Sequence, residues 1–380
     1  MSFLTQDSRS ARPAGRVGGT PATYMDANAS EAPRPEAEAA MLMALRVAGN
    51  PSSIHAAGRA ARRILEDARD AVARQFGGNS AELVFTSGGT EADALAVHAL
   101  GPAVGRRVIV GATEHDAIRA AAPDAEIAPV DGNGVVDLEA LARLLEGPPA
   151  LVCLMLANNE TGVLHPIAAA AVLCRARGAL LHVDAIQAAG RMKLDFAALG
   201  ASSLALSAHK MGGPMGAGAL LLAPDMPLRA QLAGGGQERG RRGGTPALPA
   251  IAGFAAACVA PSALTIFRDR IAAAARDCGA QEIGAGAPRL GNTLCLALPG
   301  VRAETQVIAM DLAGVQVSAG AACSSGKVGR SHVLDAMGLG PLAGEAIRVS
   351  LPWNVTDADV DACIAAYRGM AARLRRETAA

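Results

Sequence analysis

Lys210 stands in SAHKMGGPMG, between an apolar run and a turn rich in glycine and proline. A primary amine held just beyond a strand can form a Schiff base with an aldehyde. Other apolar runs deliver polar residues in the same way. ELVFT is followed by SGGTEAD with Thr90, RVIVG by ATEHDA with His115, and ALVCLML by ANNETG with Asn159. ALLHV is followed by DAIQ with Asp184 and Gln187, and SLAL by SAHK with Ser207, His209 and Lys210. Ligands of open α/β sheets bind outside the carboxyl ends of the strands, so these groups are expected at one site.

Singly, each has a plain structural explanation: SGGTEA is a strand-to-helix turn, Asp184 a helix cap, His115 a surface histidine and Lys210 a solvated charge. Together their types complement one another. SGGTE offers backbone N–H groups and a hydroxyl at a helix N-terminus, which suits a phosphate. Asp184 suits a protonated pyridine nitrogen, Gln187 a ring oxygen and Lys210 an aldehyde. Those partners describe pyridoxal 5′-phosphate. A dinucleotide site fits less well, because no GxGxxG follows the early strands, and SGGTE lacks the Gly-Lys-Ser/Thr ending of a nucleotide phosphate loop.

The elements that must position these residues are legible from periodicity. In SSIHAAGRAARRILEDARDAVARQFGG, residues Ile54, Ala57, Ala61, Leu65, Ala68, Val72 and Phe76 recur at helical spacing and stop at Gly77 and Gly78. From there short apolar runs alternate with Ala-rich, helix-compatible segments, which predicts βα units and a mainly parallel sheet. With 51% hydrophobic residues but 2% aromatics, the interior must be built from aliphatic side chains and alanine, as in sheets covered by helices. After about Pro261 the pattern changes to an Ala-rich helix, a strand-like TLCLALP and VQVS, which predicts a second, smaller α+β domain.

Charge narrows the partners. Lys and Arg number 35 and Asp and Glu 35, so no basic field points to nucleic acid or a membrane surface. RGRR at 239–242 is expected to be a phosphate loop at a dimer interface or a solvated face. The 7 cysteines are scattered with no CxxC pair, which argues against a zinc site or disulfide framework and for a reducing cytosol. No run is long and uncharged enough for a membrane span, and the first twenty residues are expected to form a poorly ordered extension without a signal-peptide core.

The chain resembles the cysteine desulfurases of the NifS/IscS type, class V of the fold-type I pyridoxal-phosphate enzymes. The matching pieces are YMDANAS, NPSSIHAAGRAAR, FTSGGTEAD, ANNETGV, HVDAIQAAGR, SAHKMGGPMGAGAL, GGGQERGRRGGT, SAGAACSSG and IRVSL. They run in family order from Tyr24 to Leu351, which makes the set specific where one piece would not be. The resemblance implies a large domain over 31–262 with a mainly parallel seven-stranded sheet. It also implies a small α+β domain formed by 21–30 and 263–380.

It further implies roles. Lys210 would hold the cofactor covalently, His115 would stack on its ring, and Asp184 and Gln187 would meet the ring nitrogen and ring hydroxyl. Gly89, Thr90, Ser207 and His209 would hold the phosphate, with Thr245 reaching it from the second subunit of a homodimer. Asn159 and Arg348 would grip the substrate carboxylate, with Asn28 nearby; a guanidinium suits that task. Cys323, in SAGAACSSGK beside Lys327, would be the nucleophile that takes sulfur from L-cysteine as a persulfide, leaving L-alanine. The persulfide would pass to an acceptor or scaffold protein for iron–sulfur cluster or other sulfur-cofactor assembly. A selenocysteine lyase, another class V enzyme or a non-catalytic sulfur-carrier scaffold are the alternatives. An aminotransferase needs no cysteine at the position of Cys323. The chain departs from the usual family pattern at Ala94 and Met215 and around Trp353.

Overall fold

A computed structural model describes residues 16, 17, 20–320 and 330–378. Seven strands form one sheet in the spatial order Leu83–Thr86, Gly218–Leu222, Ser203–Ser207, Leu180–Asp184, Ala150–Met155, Arg107–Gly111 and Glu126–Ala128. Gly218–Leu222 runs antiparallel to both of its neighbours, and the remaining pairs are parallel. Each apolar run of the sequence has become a strand. Their near-continuous hydrophobicity follows from burial on both faces.

Successive residues serve opposite faces. Leu83, Phe85, Val152, Leu154, Leu204, Leu206 and Leu221 pack into one apolar layer, with Leu65 and Val72 of the helix Ala56–Gln75 and Phe254 of Leu248–Ala257. Val84, Leu151, Cys153, Ala205, Leu220 and Leu222 pack into the other, against Leu95, Ala96 and Leu100 of the helix Gly89–Leu100. Burying one such leucine contributes about 1.5–3 kcal/mol, so the sheet is a rigid base for whatever projects from its end.

Two details differ from the pattern. The helix starts at Ala56, capped by the His55 ring accepting from Gly58 N–H, and Ile54 lies outside it, 91% exposed. Side-chain capping by His55 decided the start, although Ile54 continues the apolar period. The edge strand Glu126–Ala128 was too short and too exposed to give a period-2 signal.

A second sheet is fully antiparallel, in the order Gln281–Ile283, Thr293–Ala297, Ala346–Ser350 and Ser318–Ala319. Its core holds Leu294, Leu296, Ile347 and Val349, with Ile271 of the helix Thr265–Asp277 and Val360, Cys363 and Tyr367 of Asp357–Thr378. Met25 joins this core, and Thr23–Tyr24 pairs in parallel with Val315–Gln316. The segment near residue 25 thus crosses from the second core to the ends of the interior strands of the first sheet, which brings Asn28 to the site.

Candidate active site

The sheet's strand ends open into a cavity of about 290 Å³ lined by Asn28, Gly89, Thr90, His115, Asn159, Asp184, Gln187, Ser207, His209 and Lys210. These come from five strand ends and the incoming N-terminal segment. Met155, Ala157 and Ile186 supply apolar walls, and Asp93 adds a carboxyl.

Each polar group is held. The turn Ala208–Lys210 follows the strand Ser203–Ser207 directly, and Lys210 Nζ donates to Asn28 O at 2.6 Å and Ala29 O at 2.9 Å. Gln187 Nε2 donates to the same Asn28 carbonyl at 3.1 Å, and its amide oxygen accepts from Arg191. Asp184 Oδ1 accepts from Ile186 N–H at 2.8 Å. His115 caps the helix Asp116–Ala121, its Nδ1 accepting from Ala117 N–H at 3.1 Å, so the ring proton of the neutral form belongs on Nε2.

The helix Gly89–Leu100 presents its N-terminal amides beside Thr90, with no side-chain cap. A Cβ on Gly89 would overlap Ile186 Cδ1, so glycine keeps this corner open. Burial, with Lys210 and Arg191 nearby, lowers His209 to about 4. The ring is neutral near pH 7 unless an anion binds beside it.

The floor is acidic. Burial, reinforced by the neighbouring Asp93 carboxyl, pushes Asp184 up to about 7. Asp93 is lifted to about 8 by burial, and its Oδ2 is buried without a hydrogen-bond partner. Glu114, fully buried, is raised well above the usual range by burial and by Asp184. Carboxyl groups crowded in this way favour a cation between them.

Arg348 and Thr245 do not line this cavity. Arg348, almost wholly buried, stands behind Asn159: Nη1 donates to Asn159 O at 3.1 Å and Nη2 to Asp26 Oδ1 at 2.7 Å, while Nε has no partner. Thr245 lines a separate depression with Ser87 and Arg242. Cys323 lies outside the described residues. Asp93 escaped the sequence reading because it sits one helical turn beyond Thr90, where the cue of a polar residue directly after a strand no longer applies.

The donor set fits pyridoxal 5′-phosphate. The uncapped helix N-terminus with its glycine-shaped corner suits a phosphate. The acids Asp184 and Asp93 suit a ring nitrogen that gains a proton, and Gln187 and Lys210 meet the remaining polar edges. Among the described residues no cluster of His, Cys, Asp and Glu is built to hold a metal, and no helix is long and apolar enough to cross a membrane.

Residues 23–363 match the family model described as aminotransferase class-V. The chain is 42% identical to a cysteine desulfurase of Cereibacter sphaeroides over 89% of this chain and 92% of that protein. It is 36% identical to an IscS-like cysteine desulfurase of Mycobacterium tuberculosis, covering 93% and 97% of the two. A solved NifS-like protein superposes with a TM-score of 0.85 at 30% identity, over 93% of this chain and all of that one.

Proposed function

This chain belongs to the class-V aminotransferase family, a family dependent on pyridoxal 5′-phosphate, and from that premise we propose that it is a cysteine desulfurase. The observation that carries the reading is the convergence of Lys210, Asp184, Gln187, His115 and the Gly89–Thr90 helix N-terminus on one cavity.

Bound there, the cofactor supplies an aldehyde for amines and a sink for the electrons of a substrate carbanion. The chain's residues do the rest. Lys210 would hold the cofactor through its amine, and the same amine would be the base that moves a proton at the substrate Cα. The Asp184 carboxyl would meet the ring nitrogen and favour its protonated form. His115, its Nδ1 accepting from Ala117 N–H, would carry a proton on Nε2. Asn159 and Asn28 line the cavity and would orient the substrate carboxylate, and Arg348, behind Asn159, would act through its bond to the Asn159 carbonyl. Ser207 and His209 would join Gly89 and Thr90 in holding the phosphate.

The Cys323 thiolate attacks the substrate sulfur. A sulfur–sulfur bond forms as the Cβ–sulfur bond breaks, and the electron pair left at Cβ takes up a proton, so that L-alanine leaves and a persulfide stays on Cys323. The protein works as a homodimer in which Thr245 completes the phosphate site of the other subunit. The persulfide goes to an acceptor protein in the cytoplasm for iron–sulfur cluster or related assembly.

The test is release of sulfide and alanine from L-cysteine with reductant present, in the wild type and in Cys323→Ala, following cofactor absorbance in both. Wild type alone should release both products while both proteins stay yellow. A yellow but inert wild type overturns the reaction and leaves the cofactor site standing.

A further inference from the structure

Glu160 follows the proposed substrate-binding Asn159 and is buried, yet it lines no part of the cavity. Its turn is fixed by Asn158, whose Oδ1 accepts from Glu160 N–H and Thr161 N–H at 2.9 Å each. What its carboxylate touches is informative. Ser331 Oγ donates to Glu160 Oε2 at 2.5 Å, and the same hydroxyl accepts from Leu334 N–H at 3.1 Å, capping the helix His332–Ala336. On the opposite side Gly320 lies so close that a Cβ there would overlap Glu160 Oε2. Gly320 and Ser331 are the described residues that precede and nearly follow the segment holding Cys323.

The large-domain turn and both flanks of that segment therefore meet at one carboxylate oxygen. On the way in, Ser318 pairs with Arg348, and Arg348 donates to the carbonyl of Asn159, the residue next to Glu160. On the way out, His332 Nε2 lies 3.0 Å from the carbonyl of Glu114, next to His115. The same short turn thus touches both the proposed grip on the substrate and the described residues that flank Cys323 in the chain.

We propose that Glu160 is a positioning residue for sulfur abstraction, a tether that holds Gly320 and Ser331, the described residues on either side of Cys323 in the chain, relative to Asn159 and Arg348. The assignment rests on the reading of Cys323 as the sulfur acceptor. A tether of this kind acts on the geometry of attack. Displacing a reacting group by about 1 Å costs on the order of 100-fold in rate without altering how substrate binds. Its oxygen accepts from Ser331, and a glutamine can do the same, so charge is not the quantity that matters.

The experiment uses the holoenzyme and four variants: Glu160→Gln, Glu160→Ala, Ser331→Ala and the double alanine variant. Three signals separate the steps: the cofactor absorbance change on adding L-cysteine, single-turnover persulfide on the Cys323 peptide by mass spectrometry, and amide exchange at Leu334. Glu160→Ala and Ser331→Ala should each slow persulfide formation on the order of 10- to 100-fold. The double variant should lose no more than either, because both cut one tether.

The absorbance titration should keep its midpoint, Leu334 exchange should quicken, and Glu160→Gln should behave nearly as wild type. Persulfide formation at the wild-type rate in Ser331→Ala overturns the proposal, as does a loss shared equally by the absorbance titration. Ser331→Ala leaves the Asn158 turn untouched and covers the case in which Glu160→Ala misfolds. If the wild type itself forms no persulfide on Cys323, the desulfurase reading is what fails, and this assignment falls with it.

Discussion

His182 Nε2 lies 3.1 Å from Asp93 Oδ1 with both side chains wholly buried, and near pH 7 this is a hydrogen bond between neutral groups. Burial presses the imidazole down to about 4 and lifts the carboxyl to about 8. His182 Nδ1 meets Ser203 Oγ at 2.8 Å on the neighbouring strand. A closed polar chain therefore fixes Asp93 beneath the cavity and leaves Oδ2 as its one open atom.

That arrangement has a measurable cost. Asp93 and Asp184 keep their protons to about 8 and about 7 in the folded chain, whereas a free aspartate releases its proton near 3.9. Over that window the folded state binds more protons than the unfolded state, so stability falls as pH rises. The buried His165, His182 and His209, lowered to about 4, act in the opposite sense below their ordinary 6.5. The comparison therefore belongs above that pH. The melting temperature of cofactor-free protein should fall between about pH 6.5 and 8, and Asp93→Asn should flatten the fall. An equal slope in the variant counts against the shifted Asp93.

Asp93 also marks what the sequence could and could not tell. Lys210, Asp184 and His115 were legible because each directly follows an apolar run, and a strand end is a place that sequence order defines. Asp93 lies a turn into the helix Gly89–Leu100, and Glu160, though next to Asn159, lines no part of the cavity. Their roles depend on long-range contacts, with His182 and Ser331, that no local period encodes. The seven strands were legible except Glu126–Ala128, whose exposure leaves it little hydrophobic signal. Arg348 was assigned by its motif, IRVSL, but its place behind Asn159 depends on the pairing of Ala346–Ser350 with Thr293–Ala297.

Gly89 should tolerate no side chain without a loss of cofactor. An added Cβ overlaps Ile186 Cδ1, and Ile186 lines the same cavity, so relief on one side means intrusion on the other. Gly89→Ala should weaken cofactor binding on the order of 10-fold or more, since one 1.4 kcal/mol perturbation already has that effect. Titrating cofactor-free protein and following absorbance checks it. Unchanged affinity means the helix N-terminus does not carry the phosphate.

Arg348→Lys separates binding from chemistry. The guanidinium makes two directed bonds, to Asp26 and to Asn159 O, which one ammonium cannot reproduce in the same planar geometry. The variant should keep the yellow cofactor and show a KM for L-cysteine raised on the order of 10-fold, with a smaller change in kcat. A lowered kcat at constant KM places Arg348 outside the substrate grip.

Stability rests heavily on a pair outside the cavity lining. Arg69 donates through Nη1 and Nη2 to the two oxygens of Glu238 at 2.7 and 2.8 Å, both side chains being buried, and its guanidinium lies 4.9 Å from the Phe85 ring centre. Glu238 also accepts from Phe85 N–H at 2.9 Å, which ties the glycine-rich loop to the edge strand Leu83–Thr86. Its backbone sits at φ 48°, a left-handed conformation that the glutamate holds against its own preference. Removing Glu238 leaves the buried Arg69 only the partly exposed Glu66 carboxylate at 3.2 Å and the Leu83 carbonyl at 3.0 Å, at a cost of about 3 kcal/mol, the lower end for a broken buried pair. Glu238→Ala should lower stability by that amount in denaturant titration, with Phe85 N–H left unpaired as well. The same loop carries Thr245, so the variant should also weaken cofactor retention if Thr245 completes the site of a second subunit. Loss of stability with cofactor retention intact separates the loop's structural role from that contribution.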